Sequence, residues 1–206
     1  MFEDLRRPLD ERGVPAQAVQ LPGDDTQPLE GALALVPADG GFDLVTIDYG
    51  QPVRLGHADD EAAAAALLLA YLDRPLPALR PIASDEFRDL AASTSAQSDE
   101  LRPRLTDGSL LIQLPAGLAL DRIGALDGVM LFPAETPFEA RSLPPTALAG
   151  AELHRFVTAA DVLVRVQVVA PWFGQPGGGI RFTLADDFTG IRDLVVAGAL
   201  ERVAVA

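Results

Sequence analysis

Gly31-Ala32-Leu33-Ala34-Leu35-Val36-Pro37-Ala38-Asp39-Gly40-Gly41-Phe42-Asp43-Leu44-Val45-Thr46-Ile47-Asp48-Tyr49 decides how the first part of the chain folds. Two apolar runs, residues 31–36 and 42–49, flank Ala38-Asp39-Gly40-Gly41, and an Asp-Gly pair between such runs is the local signature of a β-hairpin. Beyond Gly50, residues 51–55 supply a further strand. Before the hairpin, residues 16–21 read as a short strand. Phe2, Leu5 and Leu9 recur at helical spacing until Gly13, with Pro8 kinking or delaying that helix. After the strands, Asp59-Asp60-Glu61 is an acidic, capped start for an Ala- and Leu-rich helix that runs to Asp73. Residues 1–80 therefore read as a small α-β-β-β-β-α domain.

Pro75, Pro77 and Pro81 punctuate the next stretch of chain. Ser84 can cap a short helix to about residue 92, and residues 91–104 are polar enough to read as a linker, so 81–104 is taken as helix plus linker. From residue 105 to residue 206 the pattern changes to short strands between Pro/Gly turns: 109–113, 129–132, 152–157, 162–169 and 180–184. Asp187 or Thr189 can cap a last helix to about Ala197, Gly198 ends it, and residues 200–205 form a closing strand. The expected class is α+β, with the small N-terminal unit followed by a mainly antiparallel β domain carrying one or two helices.

Composition narrows the chemistry. The net charge is -14, and the sixteen basic residues are all Arg. GC-rich coding accounts for Arg without Lys, and the absence of Lys excludes Schiff-base and P-loop lysine chemistry. The acidic balance argues against nucleic acid and against anionic membrane surfaces. With no Cys and two His, cysteine-ligated and three-histidine metal sites are excluded. No apolar run reaches the roughly 20 residues that span a bilayer. The acidic N-terminus lacks a secretory h-region, so the expectation is a cytoplasmic protein as synthesised, with export only by a signal-independent route. Residues 1–104 hold 19 of the 30 acidic residues and 9 of the 16 arginines, leaving the second part nearer neutral and better suited to an anionic ligand.

Three segments of the second part can carry chemistry. In Leu120-Asp121-Arg122-Ile123-Gly124, the Arg122 fork can meet a phosphate or close a surface pair with Asp121. In Leu153-His154-Arg155-Phe156, a strand would put His154 and Phe156 on one face, and His154 is then a cleft residue or a satisfied core histidine. The third, Ala170-Pro171-Trp172-Phe173-Gly174-Gln175-Pro176-Gly177-Gly178-Gly179, is either a long hairpin turn or a ligand loop. Its aromatics can stack on a planar ring, Gln175 can bond an amide or a ribose hydroxyl, and glycines let a ligand approach the backbone.

Taken in order, these segments resemble the necrotising-toxin (TNT) family of NAD glycohydrolases from about residue 114 to residue 203. The resemblance also takes in Leu114-Pro115-Ala116-Gly117, Ala134-Glu135-Thr136-Pro137-Phe138, Arg141-Ser142-Leu143-Pro144-Pro145 and Arg192-Asp193-Leu194. It implies hydrolysis of the nicotinamide–ribose bond of NAD(P) to ADP-ribose (phosphate) and nicotinamide, on a small antiparallel β core, in a toxin effector. NAD(P) is then substrate, and neither cofactor nor metal is implied. By position, Arg122 would hold the pyrophosphate or the adjacent ribose. His154 would line the cleft, and Gln175 would orient the nicotinamide ribose or the attacking water. Trp172, Phe173, Gly174 and Met130 would border the substrate. Where the family places a Tyr, this chain reads Gly128-Val129-Met130-Leu131, and a thioether cannot orient a water as a phenol can. Two alternatives stand beside this reading: an NAD- or ADP-ribose-binding module without turnover, and a partner-recognition protein whose acidic residues 1–80 meet a neutralising or delivery protein.

Overall fold

The computed structural model describes residues 2–105, 108–148 and 152–206. Its first part is a four-stranded sheet in the order β1 (Val19–Gln20), β2 (Ala32–Ala38), β3 (Gly41–Asp48), β4 (Gln51–Ala58), with β1 parallel to β2 and the rest antiparallel. A short 3-10 turn leads into α1 (Arg6–Glu11), and β4 leads into α2 (Glu61–Leu72). The Asp60 carboxylate caps α2 by accepting from Ala63 N–H at 2.8 Å. Phe2, Leu5, Leu9, Leu33, Leu35, Leu44, Leu68 and Tyr71 share one buried cluster between the helices and the sheet. Each such side chain contributes about 1.5–3 kcal/mol by leaving water.

The second part is an eight-stranded sheet. Its strands are β5 (Arg80–Ile82), β6 (Ser109–Leu114), β7 (Ala119–Ile123), β8 (Met130–Pro133), β9 (Leu153–Thr158), β10 (Val162–Val168), β11 (Ile180–Leu184) and β12 (Leu200–Val205). They lie in the order β5-β12-β9-β7-β8-β11-β10-β6, antiparallel throughout except for β5 beside β12. The expected α+β class therefore holds. Helices α4 (Phe138–Arg141) and α5 (Ile191–Val196) are short. The N-cap of α5 is Gly190, not Asp187 or Thr189, and its N–H is taken by Asp193 Oδ2 at 2.8 Å. No helix among the described residues is long and apolar enough to cross a membrane.

Residues 91–104 do not form a linker. The helix starting at Ser84 continues as α3 to Leu101. Its inner stripe is Phe87, Ala91, Thr94 and Ser98, a helical spacing whose second half is polar. Thr94 and Ser98 are tolerated inside because their hydroxyls donate to the carbonyls one turn back, Leu90 and Thr94, at 2.8 and 2.7 Å. Thr94 Oγ1 also accepts from Ala119 N–H at 2.9 Å, fastening α3 to β7.

The two parts are joined by polar contacts, of which the Arg122–Asp48 pair is buried and the Arg74–Asp193 pair partly exposed. Arg192 of α5 pairs with Asp127 and reaches the Leu72 carbonyl, Arg74 pairs with Asp193, and Arg122 pairs with Asp48. Arg122 fits because Gly31 and Gly128 flank its guanidinium, and a Cβ at either position would collide with it.

Candidate functional site

Residues 169–179 connect β10 to β11. Trp172 and Gln175 face each other as a β-bridge, closed by Gln175 N–H on Trp172 O at 2.8 Å. Phe173 (φ 51°) and Gly174 (φ 74°) fill the two central positions, so this is a two-residue turn with positive φ at both. It holds Trp172 and Phe173 out to solvent, 51% and 42% exposed, with their rings stacked at 4.6 Å and 17°. Gln175 turns inward. Its Nε2 donates to the Leu143 carbonyl, while its Oε1 is buried and has no hydrogen-bond partner among the described residues.

A second turn of the same design meets it. Between β3 and β4, Tyr49 (φ 52°) and Gly50 (φ 67°) are the two central residues, so Tyr49 belongs to a turn and not to the end of a strand. The Tyr49 ring is buried, 6.5 Å and 25° from that of Trp172, with the Arg181 guanidinium 5.0 Å above its centre. Burial pushes the phenol far above its ordinary value, with Arg181 opposing, so it keeps its proton and donates to the Arg141 carbonyl. Tyr49 shares an apolar cluster with Met130, Phe132 and Leu143.

Other polar atoms around this cluster are also left over. Ser142 Oγ, Arg181 Nε and Thr183 Oγ1 are buried without a hydrogen-bond partner among the described residues. Thr183 lies opposite Met130 in register, and Ser142 sits between the carbonyls used by Tyr49 and Gln175. Buried polar atoms are normally satisfied, so such a group marks a place that a polar ligand can complete. Arg141 is not one of the free groups. It is 2% exposed, paired with Asp121 at 2.7 Å, and also donates to Thr136 O. Burial raises the Asp121 carboxyl and the Arg141 charge opposes the rise.

The structure does not bring Arg122 and His154 to Gln175. The two are register partners on β7 and β9 and share a face with Leu120 and Phe156. Met130, Thr183 and Arg181 point from the opposite face, as the pairing of Met130 with Thr183 and of Gln167 with Arg181 requires. Arg122 is 3% exposed and fully engaged: Nη2 and Nη1 hold the two oxygens of Asp48 at 2.6 and 3.1 Å, Nε donates to Ala125 O at 2.6 Å, and Nη1 donates to Met130 O at 3.0 Å. Its ion-pair partner is Asp48 and not Asp121, which pairs with Arg141. His154 borders a cavity of about 340 Å³ with Val14, Glu152, Arg192 and Arg202. Burial pulls its pKa down against the pull of Glu152, so the ring is neutral at pH 7 and Nε2–H donates to Gly124 O at 3.1 Å.

The glycines after Gln175 line a separate cavity. Gly177, Gly178 and Gly179 give their N–H groups to Glu139, Val169 and Ala140 carbonyls, closing the loop on itself. Gly174 and Gly178 are open on their Cβ side, whereas a Cβ at Gly177 or Gly179 would collide with backbone. The cavity, of about 480 Å³, lies behind Gly177, Gly178 and Gly179, against α3, with Arg88, Ser95, Arg102 and Thr136 on its walls. Of the residues singled out from the sequence for substrate, only these glycines line it, and Trp172, Phe173, Gly174, Gln175, Met130, Arg122 and His154 do not. Among the described residues, no group of three or more His, Asp and Glu side chains is placed to hold a metal ion.

Sequence reasoning missed Asp48, Tyr49, Ser142, Arg181 and Thr183. The one local signal was the aromatic-Gly pair Tyr49-Gly50 between two strands, which repeats the pattern of Phe173-Gly174.

Comparison with known proteins finds a match within this second part. Residues 113–203 match the family described as tuberculosis necrotizing toxin. The chain is similar to the conidial surface nicotinamide adenine dinucleotide glycohydrolase of Aspergillus fumigatus, 34% identical over 96 residues, which cover 44% of this chain and 40% of that protein. The chain thus spans well under half the length of this curated relative. Among solved structures, tuberculosis necrotizing toxin complexed with its immunity factor IFT aligns at 26% identity and a TM-score of 0.41, over 47% of this chain and 56% of that one. Tse6 in complex with Tsi6 aligns at 17% identity and a TM-score of 0.31, over 59% and 96%. Residues 113–203 of this chain are a domain of the tuberculosis necrotizing toxin family, homologous to NAD glycohydrolases.

Proposed function

We propose that the chain binds NAD(P) beside Trp172, Phe173, Gly174, Gln175 and Met130 and hydrolyses the nicotinamide–ribose bond to nicotinamide and ADP-ribose (phosphate). The observation that carries this is the exposed Trp172–Phe173 stack beside Gln175, whose buried amide oxygen has no hydrogen-bond partner among the described residues. An aromatic shelf takes a planar ring, and a free amide oxygen accepts from a ribose hydroxyl or an attacking water. The naming of the Aspergillus relative as an NAD glycohydrolase supports the substrate class.

The chemistry asks little of acid–base groups. Nicotinamide leaves as a neutral molecule from a cationic precursor, so no strong acid has to protonate it. The transition state is oxocarbenium-like, and a fixed amide dipole beside it stabilises the developing charge. Gln175 is held for this by its bond to Leu143. Arg122 serves a pyrophosphate only if it gives up Asp48. His154, neutral and on the other face, is assigned no step here.

Met130 favours a second reading, a binding module without turnover, because its thioether can neither donate to nor orient a water. Nicotinamide release from NAD by the wild type, Gln175→Ala and Met130→Tyr separates the two. The glycohydrolase reading expects release by the wild type and a fall of about 10²–10³ in Gln175→Ala, the size of losing one positioned transition-state contact. Release only by Met130→Tyr would establish the binding module. No release and no ADP-ribose binding by any form would overturn both.

A further inference from the structure

We infer that the β3–β4 turn, Asp48-Tyr49, occupies the nucleotide site as a ligand mimic built into the chain, and that the N-terminal sheet thereby holds the site closed. The inference rests on the reading that this face binds a nucleotide.

Asp48 sits as a bound anion would. Its Oδ1 accepts from Arg122 Nη2 at 2.6 Å, and its Oδ2 accepts from Arg122 Nη1 at 3.1 Å, Val129 N–H at 2.6 Å and Met130 N–H at 3.2 Å. A guanidinium fork and two consecutive backbone amides converging on one pair of oxygens is the donor set that recognises a phosphate. Both Asp48 and Arg122 are almost fully buried, so the donors are already desolvated and aimed. All four donors belong to the second part of the chain, and the acceptor comes from the first.

Tyr49 sits as the ligand's ring would. It stacks with Trp172, lies under Arg181 and rests on Met130, among residues whose polar atoms are otherwise left over. Carboxylate and ring are adjacent residues reaching opposite faces of β8 around its N-terminal end. A nucleotide entering in their place would put phosphate on Arg122 and its planar base or nicotinamide on Trp172. This joins Arg122 to Gln175 through one ligand, although no direct contact joins them.

The test uses the full chain as wild type, Asp48→Ala and Asp48→Asn, with inorganic phosphate and ADP-ribose as probes. Melting is followed in phosphate against chloride at equal ionic strength, and ADP-ribose binding by the fluorescence of Trp172, the single tryptophan. Asp48→Ala should melt below the wild type in chloride and regain the loss in phosphate, while the wild type ignores the exchange. Its ADP-ribose dissociation constant should fall about tenfold or more, as removing an occluding state requires. Asp48→Asn, which keeps size and one acceptor but not the charge, should show a smaller gain.

Phosphate acting no differently from chloride on both variants would overturn the inference. So would a wild type that binds ADP-ribose as tightly as they do, or variants that stay unfolded in phosphate. The last result makes Asp48 a plain ion-pair partner. Nicotinamide release that Asp48→Ala leaves unchanged sinks the mimic alone. Phosphate rescue with no nicotinamide release by any form supports the mimic and sinks the glycohydrolase reading alone.

Discussion

The two faces of the eight-stranded sheet handle polar groups in opposite ways. On the face of Leu120, Phe156 and Leu131, the polar side chains at the rim are satisfied: Arg122 spends its guanidinium on Asp48 and two carbonyls, and His154 gives its proton to Gly124. On the face of Met130 and Thr183, buried oxygens and nitrogens are left over beneath an exposed aromatic stack. Polar residues alone do not mark a functional face. The informative signal is polar atoms that the fold has buried and then not used.

Three substitutions probe that contrast. The largest effect is expected from Arg122→Met. It strands the Asp48 carboxylate inside, where no anion can replace the missing cation, and should cost about 3–5 kcal/mol in urea unfolding. A loss below about 1 kcal/mol would mean that the pair is dispensable, and the satisfied face would not be the structural one. Next comes a matched pair. Phe156→Ala, fully buried, should cost about 3 kcal/mol while leaving ADP-ribose binding to the folded protein unchanged. Trp172→Ala, half exposed, should change stability by no more than about 0.5 kcal/mol yet weaken ADP-ribose binding, read by calorimetry. The reverse pattern would exchange the roles of the faces.

The smallest effect is the pH dependence of His154. Burial lowers its pKa in the folded protein, so as pH falls the unfolded chain takes up the proton first. The stability from the neutral buried ring is complete above the unfolded value of about 6.5 and is lost as pH drops towards the folded one. His154→Gln keeps an N–H for Gly124 and removes the titration. It should flatten the stability profile below pH 6.5, and an unchanged slope in acid unfolding would place the titration elsewhere.

Much of the fold was legible because local chemistry specified it. The Asp39-Gly40 turn, the Asp60 cap and the strands at 162–168 and 180–184 arise from turn residues, capping and period-two apolar patterns. The parts that stayed hidden depended on distant partners. Residues 91–104 look like a linker because Thr94, Ser98 and their neighbours are polar, and only the back-bonds of Thr94 and Ser98 to the helix, with the Ala119 N–H donated to Thr94, make these two core residues. The β7 strand was hidden because Asp121 and Arg122 are charges inside a sheet, each neutralised by a residue far along the chain. For the candidate site, the aromatic turn and Gln175 could be read from their unusual composition. Arg122 and His154 could not be assigned a face, because strand register and not residue type decides which way a side chain points.

The flanking of Arg122 by Gly31 and Gly128 ties the histories of the two parts together. Gly31 immediately precedes β2 of the N-terminal sheet, yet the side chain it would collide with comes from β7. A lineage that placed even alanine at position 31 would have to surrender the arginine or reposition one sheet on the other. Drift in either part is therefore policed by the other, and the pair Gly31–Arg122 should change together or not at all.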